Sequence, residues 1–219
     1  MRHSCKAFVL TGLLSFFGNA AAVPMDFDFS GTFTNDNDVV LLDFTVGIDS
    51  TVTIFSSSWL SGDSGLGFDP ILAIWDAAGN IVNEQDDGNN TGSTLSGGVL
   101  YSHGTWDSYF DVFLTAGDYT ASITQFDNFR VSDQLSDGFQ HDGNPNFTFD
   151  EGYGPAPLFN GVWSSTDTRT GAWEFHILNV DAASGPGPDL PEPATITLIG
   201  LGLAGLGYSK KRKANGVTR

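Results

Sequence analysis

The sequence runs to 219 residues with 26 acidic and 9 basic side chains, a formal net charge of −17, and 40% hydrophobic residues. That balance excludes a nucleic-acid partner, whose binding depends on Lys and Arg neutralising phosphates; an acidic surface favours solubility and gathers divalent cations instead. The single cysteine, Cys5, sits near the start of the chain, which excludes disulfides and cysteine-based metal or nucleophile sites from everything after it.

Residues 1–22 have the three-part layout of a secretory signal peptide. Arg2 and Lys6 supply the charged end, residues 7–17 the apolar middle, and Ala20, Ala21 and Ala22 the small residues before a cleavage point, so signal peptidase is the first expected partner. Cys5 precedes the apolar middle and is not placed to be a lipoprotein cysteine.

The segment that follows, to Leu190, carries every acid of the chain except Glu192 and only two cations, Arg130 and Arg169, which read as structural ion-pair partners. So acidic a composition is compatible with disorder, but all 18 phenylalanines except Phe8, Phe16 and Phe17 lie here and supply a core. Residues 25–33 alternate, with Phe27, Phe29 and Phe33 on one face and Asp26 and Asp28 on the other, as a half-buried strand does. Residues 39–46 and 51–57 are β-branched and aromatic and read as a hairpin about Gly47. Residues 71–75 form a continuous apolar run, a buried strand, which turns at 77–80 into Ile81 and Val82. Residues 85–103 are rich in Asp, Asn, Gly, Ser and Thr and read as a long loop.

Residues 106–114 and 119–126 give the clearest hairpin pattern, turning at Ala116, Gly117 and Asp118, with Gly117 expected to take φ > 0 and Tyr119 to face the core. From 127 to 161 the signals fade. Residues 172–180 are the last strand, with Trp173, Phe175 and Ile177 on one face. Short strands separated by turns predict an all-β fold, an antiparallel β-sandwich of jelly-roll type, over residues 23–181, followed by a Pro/Gly linker at 182–190.

The end of the chain differs in kind. After Pro191, Glu192 and Pro193 the chain is free of charge to Ser209, and Lys210, Lys211, Arg212 and Lys213 follow. An apolar run with cations behind it is a membrane stop signal oriented with its basic end in the cytoplasm. A helix over 194–209 is at the short limit for spanning, and its glycines weaken it; residues 214–219 are a basic cytoplasmic tail. The Pro-Glu-Pro triplet, short apolar helix and basic end together resemble the PEP-CTERM sorting domain of Gram-negative bacteria. The resemblance implies, over residues 191–213, an inner-membrane-anchored intermediate, cut near the triplet by the transpeptidase-like enzyme exosortase and passed to the cell surface or beyond.

The body carries a second resemblance. Residues 29–33, Gly67 to Leu72 (Gly-Phe-Asp-Pro-Ile-Leu), Gln85 to Gly88 (Gln-Asp-Asp-Gly) and Leu114 to Thr120 (Leu-Thr-Ala-Gly-Asp-Tyr-Thr) look like a group of exported bacterial proteins similar to the pre-peptidase C-terminal β-sandwich. It implies the sandwich fold and no assigned chemistry.

Gly62-Asp63-Ser64-Gly65 reproduces the tetrapeptide around the nucleophile of chymotrypsin-like proteases, but that order needs a histidine before the serine, and His103, His141 and His176 all follow Ser64. No catalytic set emerges, and a non-enzyme is expected. Calcium takes oxygen ligands from loops, and Asp86, Asp87 and Asn89 offer them, as do Asp36, Asn37, Asp38, Asp127 and Asn128. None has EF-hand spacing, and Asp and Asn are also ordinary turn residues, so calcium and plain solvated turns both remain open. Trp106 and Tyr101 are the candidate aromatic surfaces for a sugar ligand, beside the alternative of simple packing. The favoured reading is a non-catalytic surface or matrix protein acting in adhesion or exopolysaccharide and biofilm assembly; the alternative is a carbohydrate-binding module or cryptic secreted hydrolase.

Overall fold

The computed structural model describes residues 23–59, 67–88, 90–153, 158–159 and 169–186. The expected signal peptide, the sorting segment, Ser64 and Asn89 all lie outside these. Among the described residues no helix is long and apolar enough to cross a membrane.

Eleven strands are described: β1 (Met25–Thr32), β2 (Val40–Val46), β3 (Ser50–Ser56), β4 (Pro70–Asp76), β5 (Ile81–Asp86), β6 (Gly92–Ser96), β7 (Val99–His103), β8 (Tyr109–Leu114), β9 (Gly117–Gln125), β10 (Ala172–Val180) and β11 (Ala182–Ser184). One sheet has the order β1-β10-β3-β8, the other β11-β2-β9-β4-β5, and β6-β7 is a separate ribbon. Every pairing is antiparallel. The expected all-β sandwich is what the residues form.

The core follows from the alternation. Phe29 of β1, Leu42 and Phe44 of β2, Val52 and Ile54 of β3, Leu72 and Ile74 of β4, Ala121 and Ile123 of β9, and Trp173, Phe175 and Ile177 of β10 are buried in one apolar cluster. Burying each of the Val, Leu, Ile and Phe side chains among them stabilises by about 1.5–3 kcal/mol relative to exposure.

Two expected hairpins are instead crossings between sheets. β2 pairs with β9 and β11, while β3 pairs with β10 and β8. Likewise β8 pairs with β3 and β9 with β2 and β4. In both cases the consecutive strands each turn an apolar face into the shared core, so they stack across the sandwich rather than pair along their edges. Gly117 is not among the glycines with positive φ, so it enters its strand without the left-handed turn expected of it. Tyr119 is buried as expected, and its hydroxyl donates to the Thr115 carbonyl oxygen at 2.9 Å, tying the crossing to the chain just upstream.

The long loop expected over 85–103 is strand for most of its length. β5 runs to Asp86, and β6 and β7 form a hairpin about Gly97 (φ 53°) and Gly98 (φ 88°). Two consecutive positive φ values suit a two-residue hairpin turn, and glycine adopts them without steric cost. The linker also begins later than expected, because Ala182, Ala183 and Ser184 pair with β2 as an edge strand.

The stretch without clear sequence signals caps the outer face of the five-stranded sheet. Phe139 meets Trp75 edge-on, with ring centroids 6.1 Å apart, and Leu135 packs against the same small cluster. A 3-10 turn (Leu135–Asp137) and a one-turn helix, α1 (Phe147–Asp150), are its regular elements.

Candidate metal centre

At one end of the five-stranded sheet the chain enters β4 through Asp69 and leaves β5 through Asp86 and Asp87. The β4-β5 ladder sets Ile71 opposite Asp86, so Asp69 and the end of β5 are neighbours. Asp69 is also held by its backbone, its carbonyl oxygen accepting the Phe126 N–H at 2.8 Å. Asp87 has φ 60°, a left-handed conformation that Asp tolerates better than most residues. The next residue must be small, since a Cβ on Gly88 would lie 2.5 Å from the Tyr109 nitrogen and 2.9 Å from the Asp107 carbonyl oxygen. That close approach, with the Gly88 N–H donating to Asp107 O at 2.8 Å, fixes where Asp87 sits.

One carboxylate oxygen from each of Asp69, Asp86 and Asp87 lies within 4.8 Å of the other two. Asp69 is 2% exposed, and neither of its carboxylate oxygens has a hydrogen-bond partner; one oxygen each of Asp86 and Asp87 is buried and unpartnered as well. Burial, followed by the neighbouring charges of Asp86, Asp87 and Asp107, pushes the Asp69 carboxyl up to about 9. Burial and then Asp87, Asp127 and Glu84 push Asp86 up to about 7, and burial raises Asp87.

Asp107 shows the contrast. It is fully buried too, yet its carboxylate accepts from the Trp59 N–H (2.9 Å), the Ser56 hydroxyl (3.1 Å) and the Gly104 N–H (2.9 Å).

Sequence reasoning placed Asp86 and Asp87 here but missed Asp69. Asp69 stands alone between Phe68 and Pro70, and only the non-local ladder brings it to the pair; the Asp-Pro step signals a turn and nothing more. The other acidic clusters do different work. Asp36 faces inward, and Asp38 accepts the Thr34 and Asn35 N–H groups at 2.6 and 2.9 Å. Asp127 belongs to a second trio with His141 and Glu151, where Tyr153 donates to Asp127 at 3.0 Å and His141 Nδ1 lies 3.5 Å from Glu151; His141 Nε2 is buried without a partner, but both carboxylates of this trio have one.

The candidate sugar-binding aromatics are not brought together. The Tyr101 ring lies 4.1 Å from that of His176, and the half-buried Trp106 ring lies 6.1 Å from Trp59, whose own face carries the Arg169 guanidinium at 3.1 Å. Arg130 is an ion-pair partner as expected, to Glu84 (3.1 Å) and Asp133 (2.5 Å). An open recess of about 740 Å³, lined by Asp43, Asp76, Asp118, Leu135 and Ala183 among others, involves neither aromatic.

A Ser-His-Asp set also forms, with a serine the sequence did not suggest. The Ser57 hydroxyl lies 2.8 Å from His176 Nε2, and His176 Nδ1 lies 2.7 Å from Asp28. Burial raises the Asp28 carboxyl, but hydrogen bonding to His176 and other neighbours outweighs it and holds the group below its usual value. A nucleophilic serine must give its proton to the histidine. Here the Ser57 hydroxyl donates to Glu174 at 2.8 Å, and Ser57 and His176 are each 1% exposed. The ring of His176 is sandwiched between Phe55 and Tyr101.

Against known proteins, residues 189–213 match the PEP-CTERM protein-sorting motif. The match implies an exported chain with a membrane-anchored intermediate that is processed by exosortase. It covers the tail alone and lends no support to the pre-peptidase resemblance of the body. No curated protein matches the chain.

Proposed function

We propose that this chain is a non-catalytic surface or matrix module of a Gram-negative bacterium, delivered by exosortase to the cell surface or extracellular layer, where the sandwich acts in adhesion or exopolysaccharide assembly. The observation that carries this reading is the sorting motif placed directly behind an antiparallel sandwich. Its non-catalytic character is supported by Ser57, which is buried and has Glu174 as a second acceptor beside His176, and by His176, itself buried against Tyr101 of β7. Exposed Leu95 and Leu100, cross-strand partners on one face of the β6-β7 ribbon, give the body an apolar contact point amid its acidic charge.

The test is made in the producing cell. Replacing Pro191, Glu192 and Pro193 by alanine is expected to leave full-length chain in the inner membrane and to deplete it from the surface and matrix fractions. Deleting the gene is expected to reduce the exopolysaccharide retained by the biofilm. Unchanged release would overturn the sorting step, and unchanged retention the matrix role.

A further inference from the structure

A buried carboxylate with no hydrogen-bond partner is costly, and three within one small space are more so. Folded chains resolve that conflict with a proton, a basic side chain or a metal ion. A proton answers the conflict at one carboxyl at a time: with Asp69 protonated, Asp86 and Asp87 still crowd the same space, each with a buried oxygen that no donor reaches. A basic side chain does not answer it either. Arg130 is bound to Glu84 and Asp133, and Arg169, although its charge is felt at Asp69, makes no hydrogen bond to that carboxylate.

The geometry suits the third solution. Calcium binds oxygens at about 2.3–2.6 Å, so ligand atoms on one ion are at most about 4.6–5.2 Å apart. The three carboxylate oxygens, mutually within 4.8 Å, fall inside that span. Hard oxygen donors with no nitrogen or sulfur among them favour calcium or magnesium over zinc or copper. Ligands drawn from a strand entry, a strand end and the residue after it give an irregular arrangement, which calcium accepts and magnesium, with its strict octahedron, does not.

We infer that Asp69, Asp86 and Asp87 form a calcium site that joins the start of β4 to the end of β5. Three carboxylates make the site anionic enough to hold a dication, and water completes the six to eight ligands. The site stands whether or not the proposed matrix role does.

The experiment is calorimetric titration of the purified full-length chain in detergent with calcium chloride, beside the variants Asp69→Asn and Asp86→Asn and a magnesium chloride control. One calcium per chain is expected, with affinity at least tenfold weaker in each variant and magnesium bound at least tenfold more weakly than calcium. Melting curves accompany each titration, since Asp69→Asn keeps the side-chain shape and removes a buried charge; the variant is expected to melt no lower than the parent in chelator. Should a variant not fold, chelation of the parent chain decides: its melting temperature is expected to fall by several degrees and to return with calcium. No saturable binding, no melting shift on chelation, equal binding of magnesium, or calcium affinity untouched in two folded variants would each overturn the site.

Discussion

The carboxylate of Asp36, in the turn after β1, accepts hydrogen bonds from both the backbone N–H and the hydroxyl of Thr148, in a helix more than a hundred residues further along the chain. Its second oxygen accepts the Phe159 N–H at 2.6 Å. Asp36 and Thr148 are fully buried. Burial raises the Asp36 carboxyl above its ordinary value, and the hydrogen bonds from Thr148 and Phe159 act against that rise. One side chain therefore holds the segment around α1 against the sandwich.

Asp36→Ala leaves those buried donors without an acceptor, at about 1–3 kcal/mol for each group so exposed to the interior. We expect a loss of about 3 kcal/mol in urea unfolding, with protease sensitivity appearing first around residues 144–153. Thr148→Val removes one donor along with its hydroxyl and is expected to cost about 1 kcal/mol. Equal stability of Asp36→Ala and the parent chain would show that the α1 segment is not held this way.

The Ser57-His176-Asp28 set separates a structural relay from a catalytic one. With its hydroxyl donating to Glu174 and its oxygen buried, Ser57 is expected to form no adduct with a fluorophosphonate probe over hours at neutral pH. Intact mass spectrometry reads this directly. Stoichiometric labelling that disappears in Ser57→Ala would make the protein a hydrolase and overturn the non-catalytic reading.

The faces of the strands were legible because a period of two is written in adjacent residues: Trp173, Phe175 and Ile177 alternate with Glu174 and His176, and the structure buries the aromatic and aliphatic members in the core. Which strand lies beside which was not, since alternation is the same whether two successive strands pair or stack. Ile54 and Leu42 face one core from opposite sheets, and nothing local distinguishes that from a hairpin. The β6-β7 hairpin was harder to read because β6 (Gly-Ser-Thr-Leu-Ser) has the composition of a loop; the Gly97-Gly98 doublet and the Val99-Leu100-Tyr101 run after it were the signals available. Asp86 and Asp87 could be found as adjacent acids. Asp69 could not, because its membership depends on the ladder that sets Ile71 against Asp86.

The carboxylate trio also makes stability depend on pH in an unusual direction. Asp69 and Asp86 have folded values of about 9 and about 7 against an ordinary 3.8. A carboxyl whose folded value is raised binds its proton more tightly in the folded state. Its contribution is fully present below the unfolded value and is lost as pH rises toward the folded one. Asp28 is shifted the other way; its contribution is present above the ordinary carboxylate range and lost only as pH falls below it. Between pH 5 and 9 the trio therefore dominates. In chelator, the melting temperature is expected to decline steadily from pH 5 to pH 9, by several degrees in all, and Asp69→Asn is expected to flatten most of that decline. With calcium saturating, the slope over the same range should vanish or reverse, because the ion favours the ionised carboxylates that the cation-free fold disfavours. Scanning calorimetry at five pH values, with and without calcium, measures both slopes. A cation-free melting temperature that rises across this range would show that Asp69 and Asp86 ionise at ordinary values and that their burial carries no such cost.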